Sequence, residues 1–293
     1  MYAFLTMANE ISGTTTLYGL LGYPAKHSIS PLMHNTAFAA LSLDCRYLAF
    51  EVTPENLSAA VSGLKALGAG GFNLTMPHKK AILPLLDDLS EAARLCGSVN
   101  TVVNREGYLT GHTTDGLGYV RALAEAGFSL NGKQITLLGG GGAAESVLTQ
   151  LALESVSGIT VFKRNNATFE RTVSFAEKVS AHTRTPITVC AMKDAAILRE
   201  TLRRSDLLIN ATNVGMAPAE AVSLVPPEDL HPDLFVSDLI YHPKMTKLLR
   251  DAAAIGCPVM NGLPMLLHQG AEAFRIWTGK KMPIDLVKEA IAR

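Results

Sequence analysis

The chain has 293 residues, 48% of them apolar and 18% charged, and its 26 basic residues balance 26 acidic ones for a formal net charge of zero. That length favours two domains over one, and the balanced charge argues against a nucleic-acid surface, which would carry a basic excess. The four cysteines, Cys45, Cys96, Cys190 and Cys257, are far apart and form no C-x-x-C pair, which argues against structural zinc or a disulfide framework and for reduced thiols in the cytoplasm.

The opening MYAFLTMANEISGTTT has no basic leader, and Asn9 and Glu10 break its apolar stretch, so no signal peptide is expected. No apolar run approaches the roughly 20 residues of a membrane helix. TLYGLLG reads as the first strand, followed by a turn over Tyr23–Pro31 and a helix over SPLMHNTAFAALSL, with Ser30 as its N-cap and Pro31 at its first position. CRYLAFEV is a strand, ENLSAAVSGLKALG a helix, and GFNLTMP a short strand ending at Pro77. KKAILPLLDDLSEAARLC reads as helical, interrupted by Pro84. SVNTVVN and YLTGHTTD form a β-hairpin around Arg105–Gly107, and a helix over Gly116–Ala126, with Asp115 as its cap, leads to the second domain. There the rhythm is regular: strand KQITLLGG, helix AAESVLTQLALE, strand GITVFKR, helix FERTVSFAEKVSA, then strands ITVCAM, DLLINAT, LFVSDLIY and CPVMNG. Amphipathic helices over Met265–Thr278 and Ile284–Ala292 close the chain and are expected to fold back on the first domain. The alternation predicts an α/β protein with mainly parallel sheets. Its domains are expected at residues 1–113, completed by 264–293, and at 114–263.

Gly139, Gly141 and Ala144 fit the pattern G-x-G-x-x-G/A, with an apolar strand before it, a helix after it and a second strand beyond. Such a turn brings backbone N–H groups close to a pyrophosphate, where a Cβ would obstruct, and the helix N-terminus favours the negative charge. A bare glycine turn carries no ligand by itself; the βαβ context makes this one a dinucleotide site. The second strand ends in Phe162, Lys163, Arg164, Asn165 and Asn166, with no acid for the adenosine ribose hydroxyls. Lys163 and Arg164 can hold a 2′-phosphate, which would favour NADP, or can stack on adenine or face solvent. Asn166 can bond a ribose. The cofactor is therefore NAD or NADP, with no preference assigned.

Four polar clusters lie at turns or strand ends of the first domain: HSISP (His27–Pro31), NLTMPHKK (Asn73–Lys80), SVNT (Ser98–Thr101) and TTDG (Thr113–Gly116). Singly they read as turn-formers and caps. In this order, ahead of GGGGAA and followed by INATNVGM, SDLIYHPKMTKLL and NGLPMLLHQGAEAF, the chain resembles the shikimate dehydrogenase family, most closely its quinate/shikimate branch. The resemblance implies a substrate domain joined to a Rossmann-type doubly wound dinucleotide domain. It also implies NAD(P)-dependent, reversible oxidation of shikimate to 3-dehydroshikimate, of quinate to 3-dehydroquinate, or of both, within aromatic amino acid biosynthesis. Ser28 and Ser30 match the serines that bind the substrate carboxylate, and Thr75 a substrate-contacting threonine. Lys79 matches the catalytic lysine and Asp115 its partner, orienting it and sharing its proton. Asn100 and Gln269 match ligands of the ring hydroxyls. Gly139, Gly140, Gly141, Gly142 and Ala143 match the pyrophosphate loop, while Thr212, Leu239, Tyr241 and Gly262 match positions lining the nicotinamide and substrate, Tyr241 on the substrate side. Lys163 stands where the family usually has Asn. His27, His78 and His112 sit beside these residues, and Lys80 is expected to face solvent. No metal site is expected, since the histidines lack ligand spacing. The expected partner is the small-molecule substrate, without nucleic acid or membrane, and a homodimer is the candidate assembly. Two other readings stay open: a dehydrogenase for a related acid such as an amino-shikimate, and a dinucleotide-binding regulator without catalysis.

Overall fold

A computed structural model of the chain describes residues 11–292; most of the stretch read above for a leader lies outside the described residues. Two units emerge, one built from the chain up to Thr114 and from Gln269 onward, the other from Asp115 to His268.

In the first unit, β1 (Thr16–Gly22) runs between two parallel neighbours, β2 (Cys45–Glu51) and β3 (Gly71–Leu74). The last five residues of β1 are buried without alternation, so both of its faces are covered there and it reads as an apolar run. Beyond β3 come β4 (Asp88–Leu89), β5 (Thr101–Arg105) and β6 (Tyr108–His112), in the order β2-β1-β3-β5-β6-β4. The β3–β5 and β5–β6 pairs are antiparallel, so this sheet is mixed. Glu106 and Gly107 close the hairpin with φ of 52° and 87°, the paired left-handed conformation that a two-residue hairpin turn requires. Leu21, Phe72, Leu74, Ile82, Val99 and Val102 form its core.

The helices of this unit correct the sequence reading at two places. In α1 (Ser30–Ala40) the cap is Ile29, not Ser30. The Ser28 hydroxyl accepts the Ser30 N–H at 3.2 Å, so the helix begins one residue earlier than the Ser-Pro pair suggests. After α2 (Leu57–Ala66), the segment around Pro84 is not one interrupted helix but α3 (His78–Ala81), a 3₁₀ turn at Leu83–Leu85, β4, and α4 (Glu91–Cys96). Proline supplies no N–H to continue the helix, and the Asp87 N–H instead donates to Leu109 in β6. Ser90 caps α4 by accepting from Ala93 N.

In the second unit, α5 (Asp115–Glu125) starts at Asp115 itself rather than being capped by it. There follow β7 (Gln134–Leu138), α6 (Gly142–Leu153), β8 (Gly158–Lys163), α7 (Phe169–Thr183), β9 (Ile187–Ala191), α8 (Ala195–Leu202), β10 (Leu207–Asn210), β11 (Phe235–Asp238), α9 (Lys247–Ile255) and β12 (Val259–Met260). The order β12-β11-β10-β7-β8-β9 is parallel throughout. This is the Rossmann arrangement, whose winding reverses between β7 and β10, and ligands bind beyond the strand ends at that reversal. Helices α8 and α9, of 8 and 9 residues, are absent from the sequence reading; at two turns each, their periodicity is too short to stand out.

The chain then runs through α10 (Leu263–Thr278) to α11 (Ile284–Ala292). From Gln269 onward it belongs to the first unit. There Trp277 packs on Tyr18 at 5.0 Å between ring centres and donates its indole N–H to the Val102 carbonyl at 3.0 Å. No helix among the described residues is long and apolar enough to cross a membrane.

Candidate active site

Strand ends of the first sheet carry the polar clusters. Asn100, just before β5, is 3% exposed. Its Oδ1 accepts the Thr114 N–H at 2.8 Å, and its Nδ2 donates to Thr114 Oγ1 at 2.9 Å and to Gln269 Oε1 at 3.4 Å. Asn73 lies beneath it, donating to the Asn100 carbonyl at 3.0 Å and to Thr101 Oγ1 at 2.9 Å, while Tyr47 donates to Asn73 Oδ1 at 2.7 Å. A buried network satisfied this fully fixes rotamers, because any rotation would strand a polar atom. Burial pushes the Tyr47 hydroxyl above the usual phenol range, and a hydrogen bond with Ser30 opposes the shift. Ser30 is thus tied to the same network, with Ser28 one bond away. Thr75 is half-buried, its methyl lying where a Cβ on Gly22 would come within 2.3 Å.

Lys79 sits on the single turn α3 and is half-buried, while Lys80 is exposed. The Lys79 carbonyl accepts the Val99 N–H at 2.8 Å, which fixes the lysine backbone next to Asn100. Asp115, 8% exposed, follows Thr114 directly in the chain. Among the histidines, His78 is buried with Nε2 at 2.7 Å from the Val52 carbonyl, a structural bond in which the ring nitrogen donates. His27 is exposed.

The second unit contains a cleft of about 430 Å³ at the reversal point. Gly139, Gly140 and Gly141 form its floor. Gly139 has φ of 114°, and a Cβ there would lie 2.9 Å from the Ala211 carbonyl oxygen. At Gly140 a Cβ would meet Lys163 Cδ at 2.8 Å, while at Gly141 it would meet no atom within 4 Å. The turn therefore packs tightly against the protein on one side and stays open on the other, as a backbone cradle for a pyrophosphate must. Gly142 and Ala143 form the exposed first turn of α6.

At one end of the cleft stand Lys163, Arg164, Asn166 and Thr168. The Lys163 ammonium donates to Asn166 Oδ1 at 3.1 Å and to Thr168 Oγ1 at 2.8 Å. Its pKa is held below the ordinary lysine value by burial first, then by Arg164 and Arg171. Arg171, which the sequence reading passed over, also lines this end and pairs with the buried Glu145 at 2.9 Å. It lies in the first turn of α7, and no spacing to the basic pair at the end of β8 marks it in the sequence. At the other end stand Thr212, Asn213 and Val214, from the loop after β10. Leu239 is half-buried and Tyr241 is 50% exposed. Gly262 is buried, and a Cβ there would lie 2.0 Å from the Leu239 carbonyl oxygen, so close backbone packing requires glycine.

This geometry gives a chiral set of amide and hydroxyl groups suited to a small polyhydroxy acid, and a cradle suited to a dinucleotide. Family models match residues 20–102 as the shikimate dehydrogenase substrate binding domain, 122–224 as shikimate / quinate 5-dehydrogenase, and 262–292 as the shikimate 5′-dehydrogenase C-terminal domain. A shikimate dehydrogenase (NADP(+)) of Alkaliphilus metalliredigens is 50% identical over 290 residues, covering 97% of this chain and 99% of that one. The crystal structure of shikimate 5-dehydrogenase from Listeria monocytogenes, in complex with shikimate and NAD, is 46% identical with a TM-score of 0.94, covering 96% and 98%. Quinate dehydrogenase from Corynebacterium glutamicum, in complex with NAD, is 29% identical with a TM-score of 0.86, covering 95% and 99%. The chain belongs to the shikimate dehydrogenase family.

Proposed function

We propose that the chain oxidises the ring hydroxyl of shikimate reversibly to 3-dehydroshikimate with NADP, and that quinate is its second substrate. The observation that carries this is the meeting of Asn100 and Gln269 at 3.4 Å. Two residues matched separately to hydroxyl ligands, 169 positions apart in the chain, converge onto one network. The unit that starts at β1 binds the substrate and the unit holding β7–β12 binds the dinucleotide. The protein works in the cytoplasm, and a homodimer is its candidate assembly.

Ser28 and Ser30 donate to the substrate carboxylate, Asn100, Gln269 and Thr75 hold the ring hydroxyls, and Tyr241 matches a family position assigned to the substrate. Lys79 takes the hydroxyl proton as the carbon is oxidised and returns it in reduction, with Asp115 orienting it and sharing the proton. Gly139 to Ala143 receive the pyrophosphate, while Thr212, Leu239 and Gly262 stand at the nicotinamide end. When bound, the dinucleotide supplies the hydride acceptor. Around the adenosine ribose, Lys163, Arg164 and Arg171 bring three cations and Glu145 one carboxylate, already paired. That excess favours a 2′-phosphate over a bare hydroxyl, with Asn166 left to bond the ribose.

A panel of shikimate, quinate and an amino-shikimate with NADP and NAD, followed at the reduced nicotinamide absorbance, tests the function. Turnover is expected to be fastest for shikimate with NADP. Dinucleotide binding without turnover of any of these acids would leave a non-catalytic regulator in its place. Ser28→Ala is expected to raise KM for shikimate about tenfold and change kcat little, because carboxylate binding is similar in ground and transition states. Steady-state kinetics showing the loss in kcat instead would remove Ser28 from the carboxylate site.

A further inference from the structure

Beyond the cofactor cleft lies a buried carboxylate to which no role in the reaction is assigned. Asp238 ends β11 and is 0% exposed. Its partners are all neutral. Oδ1 accepts from Asn210 Nδ2 and from the Ile240 N–H, each at 3.0 Å, and Oδ2 accepts from Thr246 Oγ1 at 2.7 Å. Burial raises its pKa, and these three donors oppose the rise. A carboxylate buried without a cation is costly, so its retention calls for a reason.

The reason lies in what the three donors hold. Asn210 ends β10, and its Oδ1 accepts the Thr212 N–H at 3.1 Å and the Thr212 hydroxyl at 2.7 Å, while its Nδ2 also donates to the Val214 carbonyl at 3.0 Å. Thr212 and Val214 line the cleft. The Ile240 N–H fixes the segment between Leu239 and Tyr241, and the Ile240 carbonyl accepts the Gly262 N–H at 3.0 Å. Thr246 caps α9 by accepting from Leu249 N, and its methyl would lie 3.3 Å from a Cβ on Gly215. Strand order sets which half of the dinucleotide this concerns. The β8 side carries the adenosine, so the β10–β11 side beyond the reversal carries the nicotinamide.

We infer that Asp238 is a positioning residue for the nicotinamide half of the cofactor. It binds the loop after β10, the segment after β11 and the cap of α9 into one rigid wall, and leaves the adenosine half untouched. The inference rests on the dinucleotide reading of the cleft. Asparagine can reproduce the bonds, its oxygen accepting from Asn210 and Ile240 and its nitrogen donating to Thr246, whereas alanine loses all three. A small misplacement of the hydride acceptor costs about 10²-fold in rate.

Calorimetry of NADP⁺ and of 2′-phospho-ADP-ribose, which is NADP without its nicotinamide ring, separates the two halves. Asp238→Ala is expected to weaken NADP⁺ about tenfold, leave 2′-phospho-ADP-ribose within twofold, and lower kcat about 10–10²-fold. Asp238→Asn is expected to recover most of both losses. Equal weakening of the two probes, or an unchanged kcat in Asp238→Ala, would overturn the inference. If alanine does not fold, Thr246→Val removes one donor and is expected to show the same selective loss in smaller measure; equal loss for both probes would again overturn it. Wild-type protein that binds both probes but does not oxidise shikimate refutes the proposed activity alone, and the binding comparison still decides the role of Asp238. Wild-type protein that binds neither probe overturns both.

Discussion

Lys79→Ala is expected to lower kcat for shikimate oxidation by about 10²–10⁴-fold and to leave KM almost unchanged, the scale on which enzymes lose a general acid–base group. The hydroxyl proton has to leave as the hydride leaves. The proposed acceptor is Lys79, half-buried on a single helical turn, with its backbone tied to Val99 beside Asn100. In the proposed role the lysine acts on charge that develops only in the transition state, so its loss is expected to fall on kcat. Pre-steady-state and steady-state rates with saturating cofactor measure this. A kcat within threefold of wild type would remove Lys79 from the chemistry. The substitution keeps the Lys79 carbonyl that accepts the Val99 N–H, and circular dichroism is expected to match wild type.

Acid is expected to destabilise the first unit through His34. This residue of α1 is 0% exposed, and neither ring nitrogen has a hydrogen-bond partner. It stacks on Tyr47 at 4.4 Å, with Phe38, Phe274 and Trp277 around it. None of these ring neighbours offers a charge to an imidazolium, and burial pushes its pKa down to about 3. The folded protein keeps His34 neutral where the unfolded chain, with an ordinary value near 6.5, takes up a proton. The stability at stake is fully present above pH ~6.5 and is lost as pH falls from there toward 3, reaching at most about 5 kcal/mol. Carboxylates also contribute to acid unfolding, so the measurement is a difference. Urea unfolding between pH 7.5 and 4 is expected to show a shallower loss for His34→Phe than for wild type. Parallel curves would mean that His34 is not the group that titrates. The same packing reaches the network around Asn100, since Tyr47 lies between His34 and Asn73.

Much of the fold was legible from pattern alone. The apolar runs of the parallel strands, the hairpin around Arg105–Gly107 and the glycine turn before α6 each carry a local signal, because their backbone conformations constrain which residues fit. The errors fell where long-range contacts overrode that signal. The segment around Pro84 has helical composition, yet Asp87 and Ser90 pair with β6 instead. Helices α8 and α9 were too short to register. At the site, the motif clusters named the residues but not their grouping. Nothing in the spacing of Asn73, Asn100, Thr114 and Gln269 says that they share one network, and nothing in KRNN says that Lys163 is held by Asn166 and Thr168.

What the sequence by itself determined is the backbone chemistry at the glycine turn before α6, the motif cluster that holds Lys79, and the family to which they point. These depend on residues a few positions apart, where steric limits on φ and ψ leave a readable mark. Tertiary structure alone decided that Asn100 meets Gln269, that Arg171 adds its charge to the cofactor cleft, that His34 is buried without a partner, and that Asp238 gathers three loops. Each depends on which distant segments share a low-dielectric interior, where an unpaired polar atom is costly, and no local pattern encodes that.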